Sequence, residues 1–255
     1  MKSQTVHGIV IRTTPYGDIH KVVTLLTKEL GKITVMAHGA RKTKGKLAAV
    51  TQVFSNATFL VVESRKGGMG TLKQGETKVR YKKFTGDIEK TTFASIIIEL
   101  ANYLTEDSDL ETASKVFDIV ERALQLIEAG KDAQSICLLV EMNLLEIAGI
   151  HPEINGCSCC NERSGDFAFS IKYQGFICHR CFKQDRYRMP VTKKTIAIFC
   201  FMLGADIFNV ESIEASDQTK FEINKILAAF YNEYAGITIR AKKMIESLQK
   251  TRPIA

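Results

Sequence analysis

Cys157-Ser158-Cys159-Cys160 and Cys178-His179-Arg180-Cys181 are two C-x2-C pairs with 17 residues between them. Two thiols at that spacing turn inward around one tight knuckle, and two knuckles supply four soft ligands to a tetrahedral ion. Between the pairs, Phe167, Phe169, Ile171 and Tyr173 fall at every second position, and Gln174-Gly175 reads as a turn. This is a hairpin that folds the second knuckle back onto the first. The spacing predicts one structural Zn2+ held by Cys157, Cys160, Cys178 and Cys181. A disulfide, an unpaired thiol pair or an iron–sulfur cluster are the weaker readings of the same residues. Cys159 has no partner at knuckle spacing and is expected to be a bystander; His179 in place of a cysteine is the weaker choice of ligand, because four sulfurs already fill the shell. Cys137 and Cys200 fall on apolar helix faces, where a thiol packs as a small hydrophobe.

A closed shell of four thiolates has no position left to activate water. His151-Pro152-Glu153 ahead of the first pair superficially resembles the zinc deaminase signature, with its H-x-E and P-C-x-x-C. The histidine stands only six residues before Cys157, the proline is missing before the cysteine pair, and the second pair completes the shell. No P-loop, clustered carboxylate set or Ser/His/Asp arrangement stands out elsewhere, and Glu99 and Asp118 lie on helical patterns. The expectation is a protein that is not an enzyme.

The net charge of +7 over 255 residues is unevenly spread. Residues 1–83 carry 16 Lys/Arg against 4 Asp/Glu, a net of +12, whereas residues 84–150 carry 4 against 13, a net of −9. The basic third points to a polyanion partner, although a solvated lysine-rich surface would give the same count. Within it, Arg41, Lys42, Lys44 and Lys46 sit in a run without strand or helix patterning, suited to tracking a phosphate backbone. Lys2, Arg12, Lys82 and Lys83 are candidates to extend that DNA-binding surface. Tyr16, Phe54, Phe59 and Tyr81 are the aromatics available for base stacking or for the core. No apolar stretch reaches the roughly 20 residues of a membrane span, and the N-terminus lacks a signal-peptide core, so no membrane partner and a cytoplasmic location are expected.

The first 80 residues read as short strands: Thr5–Thr14, Lys21–Thr27, Ile33–Ala37, Val50–Phe54, Thr58–Val62 and Thr71–Gln74, with Gly67-Gly68 as a break. Their close spacing suits a small closed barrel, of OB or SH3-like topology. From about Thr85 the apolar period becomes helical, with Ser108 and Glu111 read as a capping box. Helical patterning covers Ala133–Ala148 and resumes at Thr192–Leu203, Thr219–Tyr234 and Arg240–Gln249. The fold class is therefore α+β and multi-domain: an N-terminal barrel over 1–80, then an α-helical domain over 81–255 with the zinc knob inserted at 151–188.

Tyr16-Gly17-Asp18, Leu25-Leu26-Thr27, Gly31-Lys32 and Gly39-Ala40-Arg41-Lys42, followed by Leu47, resemble the opening of the bacterial RecO family. The order of barrel, acidic helices, four-cysteine knob and further helices is similar to RecO across the chain. Family members often show a glycine after the first cysteine pair and Gly-Gly before the second, where this chain has Asn161 and Gln174-Gly175. They commonly carry Ser-Arg where Gly45-Lys46 stand here. The resemblance implies an OB fold that binds single- and double-stranded DNA and promotes strand annealing. It also implies partnership with RecR and with the C-terminal tail of single-strand-binding protein, so that RecA loads onto coated strands near the nucleoid. The alternative from the sequence alone is an RNA- or ribosome-associated zinc protein.

Overall fold

The computed structural model describes residues 3–43, 45–62 and 69–251, with side chains as far as 245. Lys2, Lys44 and the Gly67-Gly68 break therefore lie outside the described residues. By compactness the chain divides into Met1–Gly130 and Lys131–Ala255. The first unit thus holds the barrel together with the two acidic helices, although the change in composition falls near residue 84.

Five strands close the barrel: β1 (Ser3–Tyr16), β2 (His20–Thr27), β3 (Gly31–Ala37), β4 (Asn56–Val62) and β5 (Gly70–Val79), in the order β1-β2-β3-β5-β4. All neighbours are antiparallel except β3 and β5, which pair in parallel through Val35↔Gly70 and Met36↔Thr71. That closure is OB topology, which settles the choice against an SH3-like barrel. Val6, Val10, Val23, Leu25, Val35, Phe59 and Leu72 turn inward, as strand alternation dictates, and form the core.

Residues 50–54, read as a strand from their β-branched content, form turns instead. The β3–β4 connection crosses one end of the barrel, and Ala40, Leu47 and Val50 drop into the core as its plug. Burial on a loop and burial on a strand leave the same apolar signature in so short a run, which is why the sequence pattern misassigns it. Phe54 takes a left-handed φ of 70° while buried against the Phe84 ring at 5.4 Å.

Helices α1 (Ile88–Leu104) and α2 (Leu110–Glu128) pack on each other and on the barrel. Asp87 caps α1 by accepting from the Lys90 amide. α2 is capped by Asp109, which accepts from Thr112, rather than by Ser108, whose hydroxyl is buried without a partner. Asp109 and Ser108 are both good caps by type, and a one-residue shift in chain entry decides between them. In the second unit α3 (Ala133–Asn143), α4 (Lys193–Gly204) and α5 (Asp217–Ala235) pack mutually, with α6 (Arg240–Thr251) following. Between α3 and α4 lies a three-stranded sheet of β6 (Phe167–Ser170), β7 (Gly175–Cys178) and β8 (Met189–Pro190), with a short 3-10 helix at His179–Gln184. No described helix is long and apolar enough to cross a membrane.

Candidate nucleic-acid interface and metal centre

The candidate metal site is built by two local turns and the β6–β7 hairpin. In the first knuckle the Cys157 amide donates to Glu162 O at 2.8 Å and the Asn161 amide donates to Cys157 O at 2.8 Å. Closing that turn needs a left-handed residue, and Asn161 supplies it at φ 60°. Ladder pairing of Phe167 with Cys178 and Ser170 with Gly175 then returns the chain, and the 3-10 helix presents Cys181. Arg180 of the second knuckle pairs with Glu162 beside the first.

The four sulfurs lie within 4.8 Å of one another, and Cys160 Sγ is 3.6 Å from Cys178 Sγ. Four thiolates at a Zn–S length of about 2.3 Å around a tetrahedron stand about 3.8 Å apart, so the cage has the size of a metal shell. Cys157, Cys178 and Cys181 are buried and Cys160 is exposed. None of the seven cysteines is in a disulfide. Burial resists ionisation of Cys157, but the amides of Cys178, Cys159 and Cys160 point at its sulfur and bring it down to about 6. Burial and the neighbouring thiols push Cys181 the other way. A group of sulfurs that oppose each other's ionisation while one is prepared as a thiolate fits a cationic metal. Cys159 and His179 stay outside the four-sulfur group, and Cys159 packs against it. Glu153 is structural as well: its backbone bridges to Gly175 and its carboxylate accepts from the Asn155 amide at 2.7 Å.

The knob has little core of its own: Cys157, Cys178 and Cys181 make up most of its buried cluster, with Ile177. Its other face, Phe169 and Phe176, packs against Phe199 of α4 and Phe230 of α5 at ring distances of 5.5 to 5.7 Å, edge-on except for the tilted Phe169–Phe199 pair.

The basic loop presents cations over an apolar plug. Arg41, Lys42 and Lys46 are exposed while Ala40 and Leu47 are buried on either side of them. Arg41 is the most fixed: its amide donates to Ile19 O at 3.0 Å and its guanidinium to Gly17 O at 2.8 Å, clamping the loop to the β1–β2 turn. Lys21 reaches the same end, with its ammonium 3.5 Å from Thr51 O. Burial, and then the charge of Arg41, lower its pKa. Two like charges held close, with no ion pair among the described residues, gain most from a bound anion.

Tyr16 is 57% exposed at this turn, whereas Phe54, Phe59 and Tyr81 are core. Arg12 is exposed on β1 opposite Thr24, and Lys82 and Lys83 are exposed where their amides donate to the Glu128 carboxylate of α2. The structure thus gathers Arg41, Lys42 and Lys46 in one loop and places the other three elsewhere on the unit. Lys21 was not singled out from sequence, because only strand pairing carries it to the loop.

α2 and the α1–α2 connection neutralise other lysines of the unit. Lys28 pairs with Asp118 at 2.7 Å and Lys32 with Glu106. Glu121 meets His7 at 3.1 Å and Asn56 at 2.8 Å. Arg41, Lys42 and Lys46 form no ion pair among the described residues.

Residues 1–81 match the family described as "Recombination protein O N terminal" and residues 85–243 match "Recombination protein O C terminal". The chain is 37% identical over 245 residues to the DNA repair protein RecO of Bacillus velezensis, covering 96% of this chain and 94% of that protein. It is 34% identical to the DNA repair protein RecO of Bacillus subtilis over the same span, and 35% identical over 247 residues to that of Bacillus pumilus. With an OB barrel, a four-cysteine knob and near full-length similarity to these proteins, the chain belongs to the RecO family of DNA repair proteins.

Proposed function

We propose that this chain is a recombination mediator that binds single- and double-stranded DNA through its barrel, without covalent catalysis, and anneals complementary strands. On this reading it partners RecR and the C-terminal tail of single-strand-binding protein, helps RecA load onto coated strands, and works at the nucleoid of a bacterial cytoplasm. The observation that carries the DNA-binding part is the loop Ala40–Leu47: three exposed cations between buried anchors, on the face of the unit whose charges the acidic helices leave unneutralised.

The chemistry is electrostatic. Lysines and arginines neutralise phosphates and release counterions, so affinity carries little sequence information. Arg41, held by Gly17 O, keeps donors free for a phosphate, Lys21 adds charge behind it, and Tyr16 offers a ring to one base. Annealing requires two polyanions side by side, and concentrated positive charge lowers their repulsion.

Cys157, Cys160, Cys178 and Cys181 would hold a structural Zn2+, whose charge offsets the thiolates and replaces the core the knob lacks. Substituting Cys160 or Cys181 by Ala is expected to release the metal and lower Tm while single-strand affinity stays within about twofold. Unchanged Tm with lost DNA binding would contradict a structural role.

A strand-annealing assay tests the mediator reading. The wild type should speed annealing of complementary strands and the Arg41→Ala/Lys42→Ala/Lys44→Ala/Lys46→Ala variant should lose most of that gain. No annealing, or a clear preference for RNA, would favour an RNA-associated role instead.

A further inference from the structure

We propose that the β1–β4–β5 face of the barrel, between Lys46 and Lys73, is a second phosphodiester site, which receives a second DNA strand beside the one held at the β1–β2 turn. The proposal rests on the reading that the barrel binds DNA, and deepens it by giving annealing two places on one chain.

The loop straddles the barrel end. Its first cation, Arg41, is clamped to the β1–β2 turn, whereas Lys46 opens on the other side. There Lys46 lines a cleft of about 420 Å³ with Thr5 of β1, Leu60 of β4, and Lys73, Gln74 and Glu76 of β5.

Two features of β5 shape that cleft. Leu60 pairs with Gln74 but Val61 pairs with Leu72, so Lys73 has no partner in the ladder. Lys73 and Gln74 both face outward as a result, where a regular strand would turn one of them in. Gly75 then points inward, where a Cβ would stand 2.8 Å from Val50 Cγ2 and 3.1 Å from Phe59. The absent side chain lets the loop press onto β5, which sets Lys46 near Lys73.

A second register shift, between Asn56 and Ala57, leaves Lys78 unpaired as well, with its ammonium 3.2 Å from His7 Nδ1. Both irregularities of β5 thus fall at lysines. Glu76 lies between them and opposes the positive field.

The cleft offers ammonium, hydroxyl and amide donors and no ring among its lining residues. Such a surface recognises a sugar-phosphate backbone rather than stacked bases. This contrasts with the turn on the other side of the loop, where Tyr16 is exposed. The two sites would hold strands on either side of one cationic loop, whose charge screens each from the other.

Lys73→Glu and Glu76→Gln test the site, using the full chain and a single-stranded oligonucleotide of about four nucleotides, at the short end of what one OB fold covers. Anisotropy titrations at low salt should give two oligonucleotides per wild-type chain and one per Lys73→Glu chain, with the tighter affinity kept within about twofold. Annealing of complementary strands should slow roughly three- to tenfold in Lys73→Glu and quicken in Glu76→Gln. Equal melting temperatures confirm that each variant is folded. Unchanged stoichiometry and annealing in Lys73→Glu, with a wild type that binds and anneals, would overturn the second site alone. A wild type that neither binds nor anneals would instead defeat the DNA-binding reading beneath it.

Discussion

Gln174 holds a left-handed backbone at φ 52° in the turn that returns the chain to the second cysteine pair. A glycine adopts that region freely, whereas a side chain costs about 1 kcal/mol or more there. Gln174→Gly is therefore expected to raise stability by about 1 kcal/mol, read as an increase in Tm. Gly175, its neighbour, is under a different constraint: a Cβ would stand 2.3 Å from Glu153 O and 2.6 Å from Ser158 Oγ. Gly175→Ala should cost roughly 1 to 3 kcal/mol by forcing that backbone apart, and an unchanged Tm would show that the hairpin yields there. The metal cage was legible in the sequence because its geometry is local: two short turns and an alternating hairpin fix four sulfurs by spacing alone. Lys21 and Lys73 were not legible, since one depends on which strands meet the loop and the other on a register shift between β4 and β5. Neither leaves a mark in the order of residues along the chain.

Among the elements, α2 does more than its acidic composition announced. The Glu128 carboxylate at its C-terminal end accepts from the amides of Lys82, Lys83 and Phe84 and holds the connection between barrel and helices. Partial burial works against the charge, but those amides outweigh it and lower its pKa. A depressed carboxylate adds stability that is present above the ordinary glutamate value of about 4.3 and is lost as pH falls through the lower folded-state value. Glu128→Gln should lower Tm at neutral pH and soften the loss of stability on acidification; an acid limb identical to wild type would remove Glu128 from it. In the second unit, Glu141 of α3 is fully buried and meets Lys242 of α6 at 2.5 Å, while its own carbonyl accepts from Tyr231 at 2.7 Å. Glu141→Ala strands a buried ammonium and is expected to cost about 3 to 5 kcal/mol, whereas replacing both partners by apolar residues should recover much of it, as thermal melts would show. Helix positions were readable from apolar periodicity, except that α3 stops at Asn143 and residues 144–148 form turns where the helix was expected to run to Ala148. The cap at Asp109 and the plug at 50–54 were not, because they depend on how the chain enters and crosses an already folded barrel.

For the whole molecule, the segregation of charge was visible by counting, but its use was not. α2 and the α1–α2 connection take up Lys28 and Lys32, while Arg41, Lys42 and Lys46 have no ion pairs among the described residues. The loop is thereby left as a run of exposed cations whose charge is available to a polyanion. The most direct test of this account is the salt dependence of single-strand affinity for the wild type and for the Arg41/Lys42/Lys44/Lys46 alanine variant. Four to six phosphate contacts give a slope of about −3 to −4 in log affinity against log salt for the wild type, and the variant should lose most of it. Equal slopes in the two proteins, or a wild type indifferent to salt, would contradict the claim that this loop grips DNA.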